Sequence, residues 1–509
     1  MAITRRQFLK RTSLATAGTF FGPSLFGSPF VRQAMASTIG NRYLIVLFLD
    51  GGNDGLNTVI PVANGSTGTL RSAYDNARNA GNGGIRLTPG ELALSGITSD
   101  FNTGTTLALH PGFRGFQGFD GVTAGDGGLK SLYDTGDVAV VQGCGYPAYS
   151  LSHEDSRTIW QTANPLGISS LLGKGWVGRT LTAGGYGGSD IPAVAIESRV
   201  PPDFNGSSTS VLAIDSIQGF SFPYDDDYSS DESAKRTAFQ ALYNLALPPG
   251  EAQAALQYIG ASGLATLTSA ESYPPLHGDY VSDRATFNNL YREIGRSTSR
   301  DFREIAKVIY GVERGVPNVD ARFFELSNGG YDTHSDQGAA AQDGQHYQLH
   351  AEVGAALKVF RDDLQDMGQV LHGNPNAIWD RTTVIIWSEF SRRIQQNDNG
   401  TDHGSQGPMF VIGGKVNGGT YGNHPNVNES AWDDEGNTVY HHSGDDHDST
   451  DFRDVYGTVM KHWVNVPGAT VAALLPTDTV PGGGDPDEYW TTADFDMTRP
   501  SDGQPLIAP

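Results

Sequence analysis

Short apolar runs separated by glycine-rich turns recur along the 509-residue chain. Each run has the length of a strand and is apolar on both faces, which predicts a buried strand of the kind found at the centre of a parallel sheet. The runs cover residues 43–49, 137–142, 191–196, 321–326, 382–387 and 409–412. Because helical patterns lie between them, the chain is predicted to be an α/β protein with a mostly parallel sheet flanked by helices.

Helices are predicted where apolar residues recur every three to four positions. The shorter ones cover residues 129–135, 152–163, 346–364 and 451–463. One long helix is predicted over 282–312. Residues 203–280 combine an acidic run with helical spacing, which predicts a helical insertion or cap. Residues 477–509 are rich in Pro, Gly and Asp and are predicted to form a loosely packed acidic tail, so that the main domain spans 37–476.

Composition narrows the classes of function. The net charge of -23 excludes a nucleic-acid-binding protein, because phosphate backbones need a basic surface. The hydrophobic fraction of 38% is that of a globular protein, and no run of about 20 apolar residues follows the N-terminal segment, so the mature chain is predicted not to span a membrane.

The N-terminal segment, residues 1–36, has the pattern of a twin-arginine export signal. Arg5 and Arg6 precede Phe8 and Leu9, a weakly apolar stretch follows, and residues 34–36 read Ala-Met-Ala. A periplasmic or secreted location is therefore predicted. The alternative is a cytosolic chain with a chance Arg-Arg pair.

Carboxylates and histidines follow the predicted strands, or flank them, at glycine-rich turns. These residues are Asp50, Asp332, His334, Glu389, Asp402 and His403. If the strands are parallel, the side chains meet at one edge of the sheet, where they would repel one another unless a cation bridged them. A mixed set of this kind suits Zn, Mn, Mg or Ca, and two such ions about 3.5–4 Å apart could clamp a phosphoryl or sulfuryl group. For Asp50 alone, a capping role in the following turn is the alternative.

Ser152 lies at the start of a predicted helix, after a strand and a glycine turn. Free N–H groups at such a helix start favour an anion. Ser152 is therefore either a helix cap or a nucleophile facing an anion.

Several motifs together resemble one bacterial family. They are FLDGGNDGLNTVIP, LALHPGF, VVQGCGYP, GGYDTHSDQ, WSEFSRR, GTDHGSQGPMFVIGG and TDFRDVY. With the export signal they resemble the exported family known as domain of unknown function 1501, over nearly all of the mature chain to about residue 465. That family in turn resembles the alkaline phosphatase and sulfatase superfamily, which implies a doubly wound sheet with a metal site at its strand ends.

The resemblance also implies roles for single residues. Asp50, Asp332, His334 and His403 match metal ligands, and Ser152 matches the nucleophile. Glu389 stands where an aspartate is usual and is followed by Phe390 rather than histidine. Asp332 and His334 are separated by one residue instead of three. The set could therefore hold one ion, a different ion, or none, and His153 beside Ser152 could be a base, a ligand or neither.

The leading hypothesis is an exported metal-dependent hydrolase of phosphate or sulfate esters, either small molecules or polymer-borne. Ser152 would attack the ester, activated by a cation held by Asp50 and Glu389, with or without His153. Asp332, His334 and His403 would hold the other ion beside the leaving oxygen. Arg392 or Arg393 would pair with the anionic substrate unless both are solvated at the surface. A non-catalytic exported binding or assembly protein with an impaired site is the alternative. A third hypothesis is structural calcium at the acidic loop around residues 445–448.

Overall fold

The computed structural model describes residues 40–65, 69–79, 84–98, 104–116, 127–146, 149–164, 174–185, 188–207, 209–221, 229–243, 253–339, 343–428, 436, 449–475 and 495–508. The predicted export signal and the acidic loop at 445–448 lie outside these residues. No helix among the described residues is both long and apolar enough to cross a membrane.

The strands form one large sheet and two small ones. In chain order they are β1 (Tyr43–Asp50), β2 (Val59–Pro61), β3 (Gly96–Ile97), β4 (Leu107–Leu109), β5 (Val138–Gly145), β6 (Gly188–Ala195), β7 (Thr209–Ala213), β8 (Phe323–Gly329), β9 (Thr382–Trp387), β10 (Ser391–Arg392), β11 (His403–Gly404), β12 (Gly407–Gly413), β13 (Gly419–Tyr421) and β14 (Thr450–Asp451). The large sheet has the order β13-β5-β12-β9-β1-β8-β6-β7, with β14 also paired to β5. Only β12 among them runs antiparallel to its neighbours, β5 and β9. The small sheets are β2-β4-β3 and β10-β11.

The helices lie between these strands. They are α1 (Leu70–Ala77), α2 (Pro89–Leu92), α3 (Leu129–Asp134), α4 (His153–Thr162), α5 (Trp176–Ala183), α6 (Ser229–Tyr243), α7 (Gln253–Asp283), α8 (Ala285–Ile294), α9 (Ser297–Glu313), α10 (Gln345–His372), α11 (Asn376–Trp379), α12 (Phe452–Thr458) and α13 (Gly468–Leu474). A short π-helical turn, Val459–Trp463, continues α12.

Apolar cores lie on both faces of the large sheet. Successive side chains of β1 alternate between them: Ile45 and Leu47 pack in one core, with residues of α9 and α10, while Val46 and Phe48 pack in the other, with residues of α4, α5 and α12. Burial on both faces explains why β1 is a continuous apolar run. The predicted α/β class, with a mostly parallel sheet flanked by helices, is confirmed.

Two predicted segments differ in the structure. The helix predicted over 282–312 is divided among α7, α8 and α9. Gly295 ends α8 in the left-handed conformation at φ 68°, which separates α8 from α9. The predicted tail is, in its described part, packed against the domain: Leu506 and Ile507 are buried in the core that contains Phe48. These two apolar residues stabilise the segment despite its Pro- and Gly-rich composition.

The region predicted as a helical insertion contains α6 and most of α7. It also contributes β7, which pairs in parallel with β6 at the edge of the large sheet.

Candidate metal centre

One edge of the large sheet carries the candidate site. Strands β1, β5, β8 and β9 are mutually parallel, since β12 is antiparallel to both β5 and β9, and their carboxyl ends reach this edge. The antiparallel strand β12 begins where they end, so the segment before it, with Asp402 and strand β11, lies there as well. The pairing of β10 with β11 sets His403 opposite Arg392.

Two glycines allow the loop after β1 to approach the loops after β8 and β9 closely. Gly51 has φ 122°, and a Cβ on it would lie 2.3 Å from the backbone nitrogen of Asp332. Gly52 has φ 83°, and a Cβ there would lie 2.3 Å from the Phe390 ring. Only glycine combines this conformation with this approach, so the Gly-Gly pair positions the acids around it.

Glu389 is fully buried at the centre of the site. Its carboxylate accepts hydrogen bonds from the backbone N–H groups of Gly51, at 3.0 Å, and Gly52, at 3.1 Å. It also accepts one from Nδ1 of His153 at 2.9 Å. Because both oxygens of Glu389 accept these hydrogen bonds, the residue orients the His153 ring. The role predicted for Glu389 was that of a metal ligand.

His153, Asp332 and His403 present ligand atoms that all lie within 4.8 Å of one another. Since Nδ1 of His403 contacts the carbonyl oxygen of Leu151 at 2.8 Å, its proton lies on Nδ1. The bond to Glu389 does the same for His153. In the neutral rings both Nε2 atoms therefore carry lone pairs.

These lone pairs face the carboxylate of Asp332. Nε2 of His153 is 3.6 Å from Oδ2, and Nε2 of His403 is 3.3 Å from Oδ1. Acceptor atoms directed at one another repel unless a proton on one ring or a cation between them supplies positive charge. Ligands about 2.0–2.2 Å from a tetrahedral zinc ion are themselves roughly 3.3–3.6 Å apart, and both nitrogen–oxygen distances lie in this range, each to a different oxygen of Asp332.

His334 and Asp402 lie beside this trio. Oδ1 of Asp402 is 3.1 Å from Nδ1 of His334, and Nε2 of His334 is 3.0 Å from Nε2 of His403. Nε2 of His334 is also 3.1 Å from Oδ1 of Asp332. The structure thus brings His334 to the same carboxylate, with Asp402 behind it.

Asp50 meets a residue that the sequence reasoning missed. The guanidinium of Arg157 forms an ion pair with Asp50 and lies 4.0 Å from Oε1 of Glu389. It also stacks on the Phe48 ring at 5.0 Å. Arg157 follows His153 by four residues on α4, so the two side chains share one helix face. This spacing is the feature of the sequence from which the position of Arg157 could have been predicted.

Arg392 is buried beneath the site. It donates to Oδ1 of Asp332 at 2.7 Å and to the carbonyl oxygens of Gly52 at 2.7 Å and Thr401 at 3.0 Å. With its donors used inside the protein, Arg392 positions Asp332. This geometry does not favour the predicted contact with substrate.

Ser152 is exposed at the start of α4. Its hydroxyl oxygen accepts a hydrogen bond from the backbone N–H of Asp155 at 3.4 Å, so it caps the helix. Its neighbours in sequence are fixed at the site, Leu151 by His403 and His153 by Glu389. Both proposed roles, cap and nucleophile, are compatible with this placement.

The pKa values of the ionisable side chains shift in different directions across the site. Burial raises the pKa of Asp50, although Arg157 opposes this shift. Partial burial would raise the pKa of Asp332, but the hydrogen bond and charge of Arg392 outweigh it and lower the pKa. The hydrogen bond to Glu389 raises the pKa of His153, whereas burial lowers that of His403. The carboxylate that faces the two histidines is therefore held in its charged form.

The fold and the site together define an α/β protein with a histidine- and carboxylate-lined centre at the sheet edge. Residues 312–466 match the family described as "Protein of unknown function (DUF1501)", which confirms the predicted resemblance over that part of the chain. The curated proteins contain no match.

Among solved structures, the chain is similar to the lipoteichoic acid synthase LtaP from Listeria monocytogenes. The likeness covers 76% of this chain and 73% of that chain, with 8% sequence identity and a TM-score of 0.28. At these values it decides nothing about activity.

Proposed function

We propose that this protein is a divalent-cation-dependent hydrolase of phosphate or sulfate esters. The observation that carries the proposal is the facing arrangement of two Nε2 lone pairs, from His153 and His403, and the Asp332 carboxylate. His334 would complete a set of nitrogen and oxygen donors that suits Zn or Mn better than Mg or Ca. When bound, such a cation supplies Lewis-acid polarisation of an ester oxygen.

The surrounding residues hold the ligands in place. Glu389 keeps the His153 proton on Nδ1, and the Leu151 carbonyl does so for His403. Arg392 fixes one oxygen of Asp332. Buried partners of this kind orient ligand side chains, and their loss typically weakens metal affinity about 10–100-fold.

Ser152 is the proposed nucleophile. It stands at the N-terminus of α4, a helix of 10 residues, where free N–H groups favour the anionic group of the ester. Its oxygen would bond to phosphorus or sulfur as the bond to the ester oxygen breaks. The serine proton would pass to solvent, the leaving oxygen would take a proton from solvent, and water would then release the phosphate or sulfate.

The test uses protein purified after export from a native host, loaded with Zn or Mn and assayed on aryl phosphate, phosphodiester and sulfate esters. We expect turnover of at least one class, and loss of at least about 100-fold on Ser152→Ala. Thr88→Ala is the matched control, because Thr88 also caps a helix, α2, with its hydroxyl. No bound cation together with unchanged rates for Ser152→Ala would refute the proposal.

A non-catalytic binding protein is the second candidate. It is favoured by the Ser152 hydroxyl, which caps α4 and, among the described residues, has no histidine or carboxylate hydrogen-bonded to it. A folded, cation-loaded protein that turns over none of the three ester classes would support this candidate.

A further inference from the structure

Arg157 lies where a second cation would be expected. The sequence predicted that Asp50 and Glu389, with His153, would hold one of two ions. In the structure the guanidinium of Arg157 pairs with Asp50 and lies 4.0 Å from the same Glu389 oxygen that binds His153. The positive charge that this half of the site needs is thus supplied by the chain itself.

Arg157 is held in this position from two directions. The ion pair to Asp50 holds its tip, and the guanidinium carbon lies over the Phe48 ring, 5.0 Å from the ring centroid. Both contacts come from β1 or its carboxyl end, while Arg157 itself is on α4. A guanidinium paired and stacked in this way is preorganised, so an ion would have to displace it to reach Asp50.

We propose that Arg157 takes the place of a second cation, so that the centre holds one divalent ion and selects esters with a single negative charge. This inference rests on the proposed function for its cation and its ester chemistry.

The charge of the site supports the substrate class. Its carboxylates are Asp50, Asp332, Glu389 and Asp402, and its guanidiniums are Arg157 and Arg392. Four negative and two positive charges leave two negative charges, which one divalent ion neutralises. On this count a bound phosphodiester or sulfate ester leaves the occupied centre with one uncompensated negative charge, whereas a doubly charged phosphate monoester leaves two and is therefore the less favourable ligand.

The test is the number of bound ions, measured by elemental analysis and by calorimetric titration of the metal alone. We expect one ion per chain in the wild type and one in Arg157→Lys, which keeps the charge. In Arg157→Gln we expect a second, weaker ion. Arg314→Gln is the matched control, because Arg314 also pairs with an aspartate, Asp279 at 3.0 Å, and stacks on a ring, Tyr310 at 5.1 Å. It should bind one ion.

Rates with chromogenic esters test the substrate class. The wild type should favour bis(4-nitrophenyl) phosphate or 4-nitrophenyl sulfate over 4-nitrophenyl phosphate by about tenfold or more in kcat/KM. With its second ion bound, Arg157→Gln should shift toward the monoester.

The outcomes separate the two proposals. Two ions in the wild type, or a second ion in Arg157→Lys, would overturn the role of Arg157, as would a single ion in folded Arg157→Gln. A preference for the monoester in the wild type would overturn the substrate class. One ion in the wild type and two in Arg157→Gln, with no ester turned over, would support the role of Arg157 and contradict the proposed function. No ion in any variant would contradict both.

Discussion

The carboxylate of Glu389 binds the imidazole of His153 at 2.9 Å, with Glu389 fully buried and the His153 side chain 33% exposed. The bond joins the end of β9 to the first residue of α4, two segments 236 residues apart in sequence. It directs Nε2 of His153 toward Asp332. The candidate metal centre therefore has a rigid interior side and an open outer side.

Glu389→Gln should weaken binding of the cation. The amide cannot accept hydrogen bonds at both positions that now face Gly51, Gly52 and His153. We expect metal affinity to fall by about 10–100-fold, measured by titration against a chelator. Glu352→Gln is a control of similar burial, because Glu352 accepts a hydrogen bond from the backbone of Thr298 at 2.9 Å. Equal affinities in the two variants would contradict the orienting role.

Removing the cation should lower the melting temperature. A ligand that binds only the folded state at 100 times its Kd adds about 2.7 kcal/mol to the free energy of unfolding. We expect EDTA to lower the Tm of the wild type by a few degrees and to leave that of Asp332→Asn unchanged. Asp366→Asn, which alters an exposed partner of Arg284, should keep the wild-type response. An identical response in Asp332→Asn would exclude Asp332 as a ligand.

Gly51→Ala should destabilise the fold. Its Cβ would lie 2.3 Å from the backbone of Asp332, and its φ of 122° is unfavourable for any other residue. We expect a loss of about 2–4 kcal/mol in the free energy of unfolding, measured in denaturant. In Gly329→Ala, at the end of β8, the new Cβ meets nothing within 4 Å, and the change should be below about 1 kcal/mol. Similar losses in both variants would show that the close approach at Gly51 is unimportant.

The pair Asp203 and Glu325 should make stability depend on pH. Burial raises the pKa of Asp203 to about 7, and burial together with the charge of Asp203 raises that of Glu325 well above its ordinary value. The folded state therefore binds more protons than the unfolded state. The free energy of unfolding should fall as the pH rises from about 4 to about 7, by roughly 1–4 kcal/mol.

Glu325→Gln should reduce this slope, because one member of the pair can no longer ionise. Denaturant unfolding at several pH values measures it. Glu271→Gln, which alters an exposed partner of Arg236, should keep the wild-type slope. An unchanged slope in Glu325→Gln would show that Asp203 and Glu325 do not cause the pH dependence of the free energy of unfolding.

Much of the fold follows from local sequence pattern. The run from Tyr43 to Leu49 is buried on both faces, and burial on both faces demands apolar residues at every position. The same reasoning located β5, β8 and β9 within a few residues. The helix over 282–312 was wrong in its continuity, because Gly295 inside an apolar pattern is equally compatible with a helix end.

The sequence alone determined which strands exist and which polar residues stand at their ends, because burial and turn chemistry are properties of short segments. Only the tertiary structure decided that β12 is antiparallel to its neighbours. A parallel β12 would place His403 at the opposite edge of the sheet. It also decided that Arg157 pairs with Asp50 and that Glu389 orients His153. These relationships join segments more than 100 residues apart, and their geometry arises from packing that no local pattern encodes.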